Sequence, residues 1–217
     1  MTASLIDRAP KGTLEELDAL VATDDIEFGV RLLANTPTHE GRDPERLRRW
    51  ARTADEFGAA LALGPEPIVA TARVVESGGG LAKGLLARYT SRPVPTVELF
   101  TDTLALAEEL TDRLGWRHWY PAGSLRAAAI AHEAVHEQLH HGPAKTALKR
   151  SLDHVVLRAG RHRLYGHVAG ADEIAAHAYA RTVCGLGRSP LMLTAALAAV
   201  AEPQHGAPHR PPHGREK

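Results

Sequence analysis

The chain has 217 residues, of which 44% are apolar and 24% are charged, as in an ordinary soluble globular protein. Its 26 Lys and Arg residues balance 26 Asp and Glu residues, which argues against direct nucleic-acid binding through a global positive field. The single cysteine, Cys184, excludes a disulfide framework and a multi-cysteine metal site. The unusual feature of the composition is its 13 histidines.

The N-terminal residues predict neither secretion nor membrane insertion. Residues 1–13 contain Asp7, Arg8 and Lys11 and lack the apolar segment of a signal peptide. No run in the chain approaches the roughly 18 apolar residues that a membrane-spanning helix needs. We therefore expect a cytoplasmic protein without a membrane partner.

The first third of the chain, residues 1–77, is predicted to form a helical N-terminal lobe. Capping-box and Asp-Pro patterns predict helices that begin near Thr13, Asp25 and Pro44. The segment from Ile68 to Val75 suits either a helix or a strand. Because Gly78-Gly79-Gly80 forms a flexible joint, we expect a subdomain boundary there.

Residues 81–201 are predicted to form a second, metal-binding domain. Leu85–Tyr89 and Thr96–Phe100 are short β-leaning runs that predict a small sheet. Helices are expected over about Thr103–Leu114, Leu125–His141, Ala144–Leu157, Asp172–Val183 and Pro190–Val200. Residues 160–170 are expected to be irregular, and the Pro- and His-rich residues 202–217 to be disordered. The fold class is thus α+β and mostly helical.

The sequence His132-Glu133-Ala134-Val135-His136 is the strongest functional signal in the chain. On a helix, residues four apart share one face, so both imidazoles can reach a single zinc ion. Glu133 lies beside the first histidine and can take a proton from a metal-bound water as a general base. This motif predicts one Zn²⁺ per chain and a hydrolytic reaction.

A catalytic zinc usually has three protein ligands, so a third ligand is expected on a later helix. Glu173 is the candidate, and it is followed four residues later by His177 on the same helical face. His177 can replace Glu173 as the ligand or orient another ligand through one ring nitrogen. Spacing alone admits both assignments.

From about Leu85 to Gly187, the chain resembles the zincin-like metallopeptidases of the gluzincin type, in particular the ImmA/IrrE-type proteins. The resemblance rests on two short strands, the HExxH helix, and a later helix with Glu173 and the run Ala178-Tyr179-Ala180. It implies a zincin-like core in which His132, His136 and Glu173 bind the metal and Glu133 is the catalytic base. His177 departs from the pattern, which has Asn or Asp at this position.

The implied function is zinc-dependent hydrolysis of a peptide bond in a peptide or protein substrate, and the resemblance adds a transcriptional regulator as a partner. The alternatives are a non-peptidase metal enzyme and an inactive relative that acts as a regulatory or binding protein. Tyr165, His167 and Tyr179 are candidates for stabilising an oxyanion. Either predicted strand can serve as an edge that pairs with an extended substrate. The Arg158, Arg161 and Arg163 run suits a solvated face or a clamp for a substrate carboxylate.

Overall fold

The computed structural model describes residues 13–65, 68, 72–140 and 142–201. Within these ranges the chain forms eight α-helices, a three-stranded sheet and a two-stranded sheet. The predicted α+β, mostly helical class is therefore confirmed. The predicted disordered tail, residues 202–217, lies outside the described residues.

Three helices open the described chain near the predicted starts: α1 (Thr13–Ala22), α2 (Asp25–Ala34) and α3 (Pro44–Ala62). Side-chain caps explain two of these starts. Asp24 accepts a hydrogen bond from the backbone N–H of Ile26 at 2.8 Å, and Asp43 accepts one from Glu45 at 3.2 Å.

A three-stranded sheet follows, with β1 (Arg73–Ser77), β2 (Ala87–Thr90) and β3 (Thr96–Phe100). The strand order is β1-β3-β2, with β1 parallel and β2 antiparallel to β3. The described end of the ambiguous segment Ile68–Val75 is thus a strand. Because β3 is paired on both sides, it cannot act as the substrate-binding edge, and β2 is the candidate that remains.

Five helices make up most of the remaining chain, including the helices predicted to carry the metal ligands. They are α4 (Thr101–Arg113), α5 (Ser124–His140), α6 (Pro143–Ser151), α7 (Ala171–Val183) and α8 (Pro190–Ala201). None of the described helices has both the length and the apolar character that crossing a bilayer requires.

The predicted helix over Ala144–Leu157 is wrong in its second half. Helix α6 ends at Ser151, and Asp153 adopts a left-handed backbone with φ 44°. A hairpin of β4 (Val155–Ala159) and β5 (His162–Tyr165) follows, so part of the region expected to be irregular is also a strand. The β-branched pair Val155-Val156 favours this extended structure.

Packing crosses the predicted boundary at Gly78–Gly80. Strand β1 precedes these glycines but pairs with β3, which follows them. Helix α3 packs closely on α7, where a Cβ added to Gly58 would lie 2.7 Å from the carbonyl carbon of Ala175. The N-terminal helices therefore support the helix that carries Glu173.

Candidate metal centre

Helices α5 and α7 pack against each other and carry the predicted metal ligands on their facing surfaces. His132 and His136 lie one turn apart on α5, while Val135 and Leu139 anchor that helix in the core with 0% and 2% exposure. Glu173 and His177 lie one turn apart on α7. The apolar packing of both helices thus fixes the direction of four polar side chains.

The ring nitrogens of the two α5 histidines converge on one carboxylate. The Nε2 atoms of His132 and His136 lie 3.0 Å apart. Glu173 places Oε1 3.2 Å from Nε2 of His132 and Oε2 3.1 Å from Nε2 of His136. Ligand atoms on a tetrahedral zinc with bonds of about 2.0–2.1 Å lie about 3.3–3.4 Å apart, so these spacings are close to those of a ligand set.

His177 joins the same cluster. Its Nε2 lies 3.2 Å from Oε1 of Glu173, and its ring centroid lies 4.3 Å from that of His132. The structure therefore brings both predicted third-ligand candidates together. A set of imidazoles and one carboxylate suits zinc better than magnesium or calcium, which prefer oxygen ligands.

Each of the three rings has a second nitrogen that is buried. The Nδ1 atoms of His132, His136 and His177 have no hydrogen-bond partner among the described residues. In many metal sites this nitrogen donates to a carboxylate or a carbonyl. Here the rings are oriented by helix packing and by the contacts of their Nε2 atoms.

The charges in the cluster are strongly coupled. Burial raises the pKa of the Glu173 carboxyl, but hydrogen bonds from the three imidazoles outweigh it and hold this pKa far below its usual range. Burial lowers the pKa of His132, and the neighbouring His177 lowers it further. Burial also disfavours the charged form of His136, yet its contact with Glu173 raises its pKa.

Glu133 lies beside the cluster, along a cavity of about 220 Å³. His132, Glu173 and His177 line the same cavity, so the predicted general base and three of the candidate ligands face one space. The cavity walls are mostly apolar and include Leu81, Leu85, Leu125, Leu193 and Leu197. Ala87, the first residue of the edge strand β2, also lines it.

The predicted oxyanion candidates are not among the residues that line this cavity. Tyr179 is 3% exposed and belongs to the core between α3 and α7, and burial raises its pKa. Tyr165 ends β5, and His167 is exposed beyond it. The sequence could not exclude these candidates, because separation along the chain from the HExxH motif does not determine where a side chain points.

Thr103 is a lining residue that sequence reasoning missed. It was expected only to begin helix α4, but it is 3% exposed and lines the cavity. Its Oγ1 is buried without a hydrogen-bond partner among the described residues. A buried hydroxyl of this kind can donate to a bound group. Nothing in the helix pattern distinguishes Thr103 from its neighbours, so the sequence did not indicate that it lines a cavity.

A second group of metal-binding residue types lies next to the first. His140 is exposed, and its Nε2 lies 2.9 Å from Oδ2 of Asp172. Together with His136, these residues place one ligand atom each within 4.8 Å of one another. The pair adjoins the main cluster and extends its polar surface towards solvent.

Comparisons with protein-family models, with curated proteins and with solved structures find no match for this chain. The interpretation of the cluster therefore depends on its geometry and on the motif residues themselves.

Proposed function

We propose that this protein is a zinc-dependent metallopeptidase with His132, His136 and Glu173 as metal ligands. One observation carries the proposal: two Nε2 atoms and a carboxylate converge within 3.0–3.2 Å, and His132 and Glu173 line a cavity that Glu133 also lines. A bound zinc would polarise a substrate carbonyl and activate a water molecule.

Glu133 is the general base in this proposal. Glu133 lines the cavity together with His132, so its carboxylate can accept the proton of the attacking water and pass it to the leaving amine. His177 keeps the Glu173 carboxylate in place through the contact between its Nε2 and Oε1.

The surroundings of the cluster favour a peptide substrate. Strand β2 is an edge of its sheet, and Ala87 at its start lines the cavity. An extended peptide can pair with such an edge through main-chain hydrogen bonds. The apolar walls can accept an apolar side chain of that peptide. The proposal includes a cytoplasmic location and a protein substrate such as a transcriptional regulator.

The decisive experiment compares Glu133→Gln with Glu137→Gln. Both variants change one carboxylate on α5 to an amide, but Glu137 is exposed and does not line the cavity. Hydrolysis of a broad peptide library should fall by about 10²–10⁴-fold in Glu133→Gln, with zinc content and folding retained, and stay unchanged in Glu137→Gln. Equal rates in both variants contradict the mechanism.

A metal-binding protein without peptidase activity is the alternative, either another metal enzyme or an inactive relative. The proximity of His177 favours it, because a fourth protein ligand would close the coordination sphere as in structural zinc sites. Stoichiometric zinc together with a wild-type protein that cleaves no peptide in the library would support this alternative.

A further inference from the structure

A second cavity, of about 540 Å³, lies between helix α3 and the segment that joins α6 to β4. We call it the arginine cleft, after Arg46 and Arg49 of α3 and Arg158 of β4, which line it. It shares no lining residue with the cavity at the metal centre. The hydroxyl side chains of Thr53 and Ser151 also line the cleft.

The arginines of the cleft lack acidic partners. Within the described ranges, neither Arg46, Arg49 nor Arg158 forms an ion pair with a carboxylate. Asp153 also lines the cleft, but its nearest cation is Arg163, at 3.7 Å. Arg158 and Arg163 lie directly opposite each other in the hairpin, and such a like-charge pair is destabilising. The cleft therefore carries uncompensated positive charge.

The floor of the cleft is rigid. Trp50 is 5% exposed, and its Nε1–H donates to the carbonyl oxygen of Leu152 at 3.0 Å. The guanidinium groups of Arg42 and Arg46 lie over this indole, 5.5 and 5.7 Å from the ring centroid. Two cationic side chains thus have an anchored aromatic support before any ligand binds.

His154 lines the cleft and responds to its charge. Its ring meets the edge of Trp50 with centroids 5.2 Å apart. Burial lowers the pKa of His154, and the positive charges of Arg42, Arg46 and His39 lower it further. An anion in the cleft would offset these charges, so His154 can report on its occupancy.

We propose that the arginine cleft binds a phosphate group, as the free ion or as a monoester. Guanidinium groups donate paired hydrogen bonds to phosphate oxygens, and three of them line this cleft. A phosphate dianion neutralises more of the unpaired charge than a single carboxylate does. The hydroxyl groups of Thr53 and Ser151 add neutral donors, and the cavity leaves room for the organic part of an ester.

Calorimetric titration of the full-length protein with inorganic phosphate, at constant ionic strength, tests the site. Arg46→Gln/Arg49→Gln and Arg158→Gln should each weaken saturable binding by about tenfold or more. Arg52→Gln is the matched control, since Arg52 is an exposed α3 residue outside the cleft, and it should bind as the wild type does. An equal loss in Arg52→Gln would overturn the proposal, and so would undiminished binding in the double variant, which would place the ion elsewhere.

NMR titration of His154 gives a second readout that does not depend on the affinity change. At a phosphate concentration that just saturates the wild type, the pKa of His154 should rise in the wild type and rise less in Arg46→Gln/Arg49→Gln, which binds more weakly. Phosphate binding without a response at His154 would contradict the assignment. Tighter binding of phenyl phosphate than of inorganic phosphate would identify a monoester as the ligand, and the reverse order would identify the free ion.

Discussion

Helix α7 has two faces that meet their neighbours in different ways. Towards α5 it presents Glu173, whose carboxylate contacts the Nε2 atoms of His132 and His136, and His177, whose ring packs against that of His132. Towards α3 it presents Ala175, whose backbone lies so close to Gly58 that a side chain there would clash. The first face has the candidate chemistry, and the second combines main-chain contact with apolar side-chain packing and an ion pair between Arg181 and Asp55.

The two faces contribute differently to the position of the Glu173 carboxylate. Glu173 has 38% side-chain exposure and several rotatable bonds, so its carboxylate depends on its contacts with three imidazoles to keep its position. The close backbone contact between α3 and α7 leaves α7 almost no room to shift relative to α3, because packed cores transmit small displacements. We expect packing against α3 to determine where α7 lies. That placement then brings Glu173 and His177 to the α5 histidines.

Glu173→Ala should have the largest effect on the polar face. Loss of a direct ligand should weaken zinc binding by more than the roughly 100-fold upper value for an outer partner. Zinc titration of the metal-free protein against a competing chelator measures this, with Glu137→Ala as the control for an exposed carboxylate. If Glu173→Ala retains zinc and His177→Ala loses it, the ligand set consists of three histidines instead.

Gly58→Ala should have the largest effect on the apolar face. The added Cβ would meet the backbone of Ala175, which cannot move aside, so we expect a loss near the upper end of about 1–3 kcal/mol. Urea unfolding measures the stability, and zinc affinity should fall in parallel. Gly29→Ala is the milder comparison, because its Cβ would come no closer than 3.2 Å to the Cβ of Ala51 and the Cδ1 of Ile174, and the Ile174 side chain can rotate away. Equal stability of Gly58→Ala and the wild type would contradict this account of α7.

His177→Ala separates an outer partner from a ligand. The contact between its Nε2 and Oε1 of Glu173 would be lost, and zinc affinity should fall by about 10–100-fold. Chelator competition at one pH compares it with His167→Ala, which removes an exposed imidazole outside the cavity. A loss as large as that in Glu173→Ala would make His177 a fourth ligand.

Ile174→Val should have the smallest effect and should act on stability alone. Ile174 is 3% exposed in the core between α2, α3 and α7, and loss of one methylene costs about 0.5–1.5 kcal/mol. Thermal unfolding and zinc titration measured together should show lower stability with unchanged zinc affinity. A matching loss of zinc affinity would mean that the two faces are less independent than we propose.

The sequence predicted the helical part of the site because spacing alone determines which residues share a helix face. His132 and His136 lie together on α5, and Glu173 and His177 lie together on α7, as their four-residue spacing requires. It could not predict how α5 and α7 pack, and so it left the third ligand open. It also missed Thr103, since no local pattern distinguishes a helix residue that faces a cavity from one that faces the core.

The hairpin and the arginine cleft show where local reasoning failed. The residues up to Leu152 suit a helix, and the left-handed backbone of Asp153, just after α6, has no strong sequence signal. Arg158 was recognised as part of a basic run, but its proximity to Arg46 and Arg49 depends on long-range packing of β4 near α3. Tertiary contacts of this kind are not contained in a local pattern.

Asp102, on α4, binds the segment that follows β1 and contributes Leu81 to the wall of the cavity beside Glu133. Its carboxylate accepts hydrogen bonds from the backbone N–H groups of Gly79, Gly80 and Leu81, and Leu81 lines the cavity. Although burial raises the pKa of Asp102, these bonds outweigh it and keep this pKa below its usual range. Their contribution to stability is thus complete above the ordinary carboxyl pKa and is lost as the pH falls through the lowered value.

Histidine ligands must be neutral to bind a metal, whereas the Asp102 contacts persist until the solution is considerably more acidic. Moderate acidification should therefore strip the metal while the wall around the cavity keeps its shape. Neutralisation would then refill a preformed site without refolding the chain. On the proposed function, release of the metal and loss of the Asp102 contacts therefore occur at different pH values.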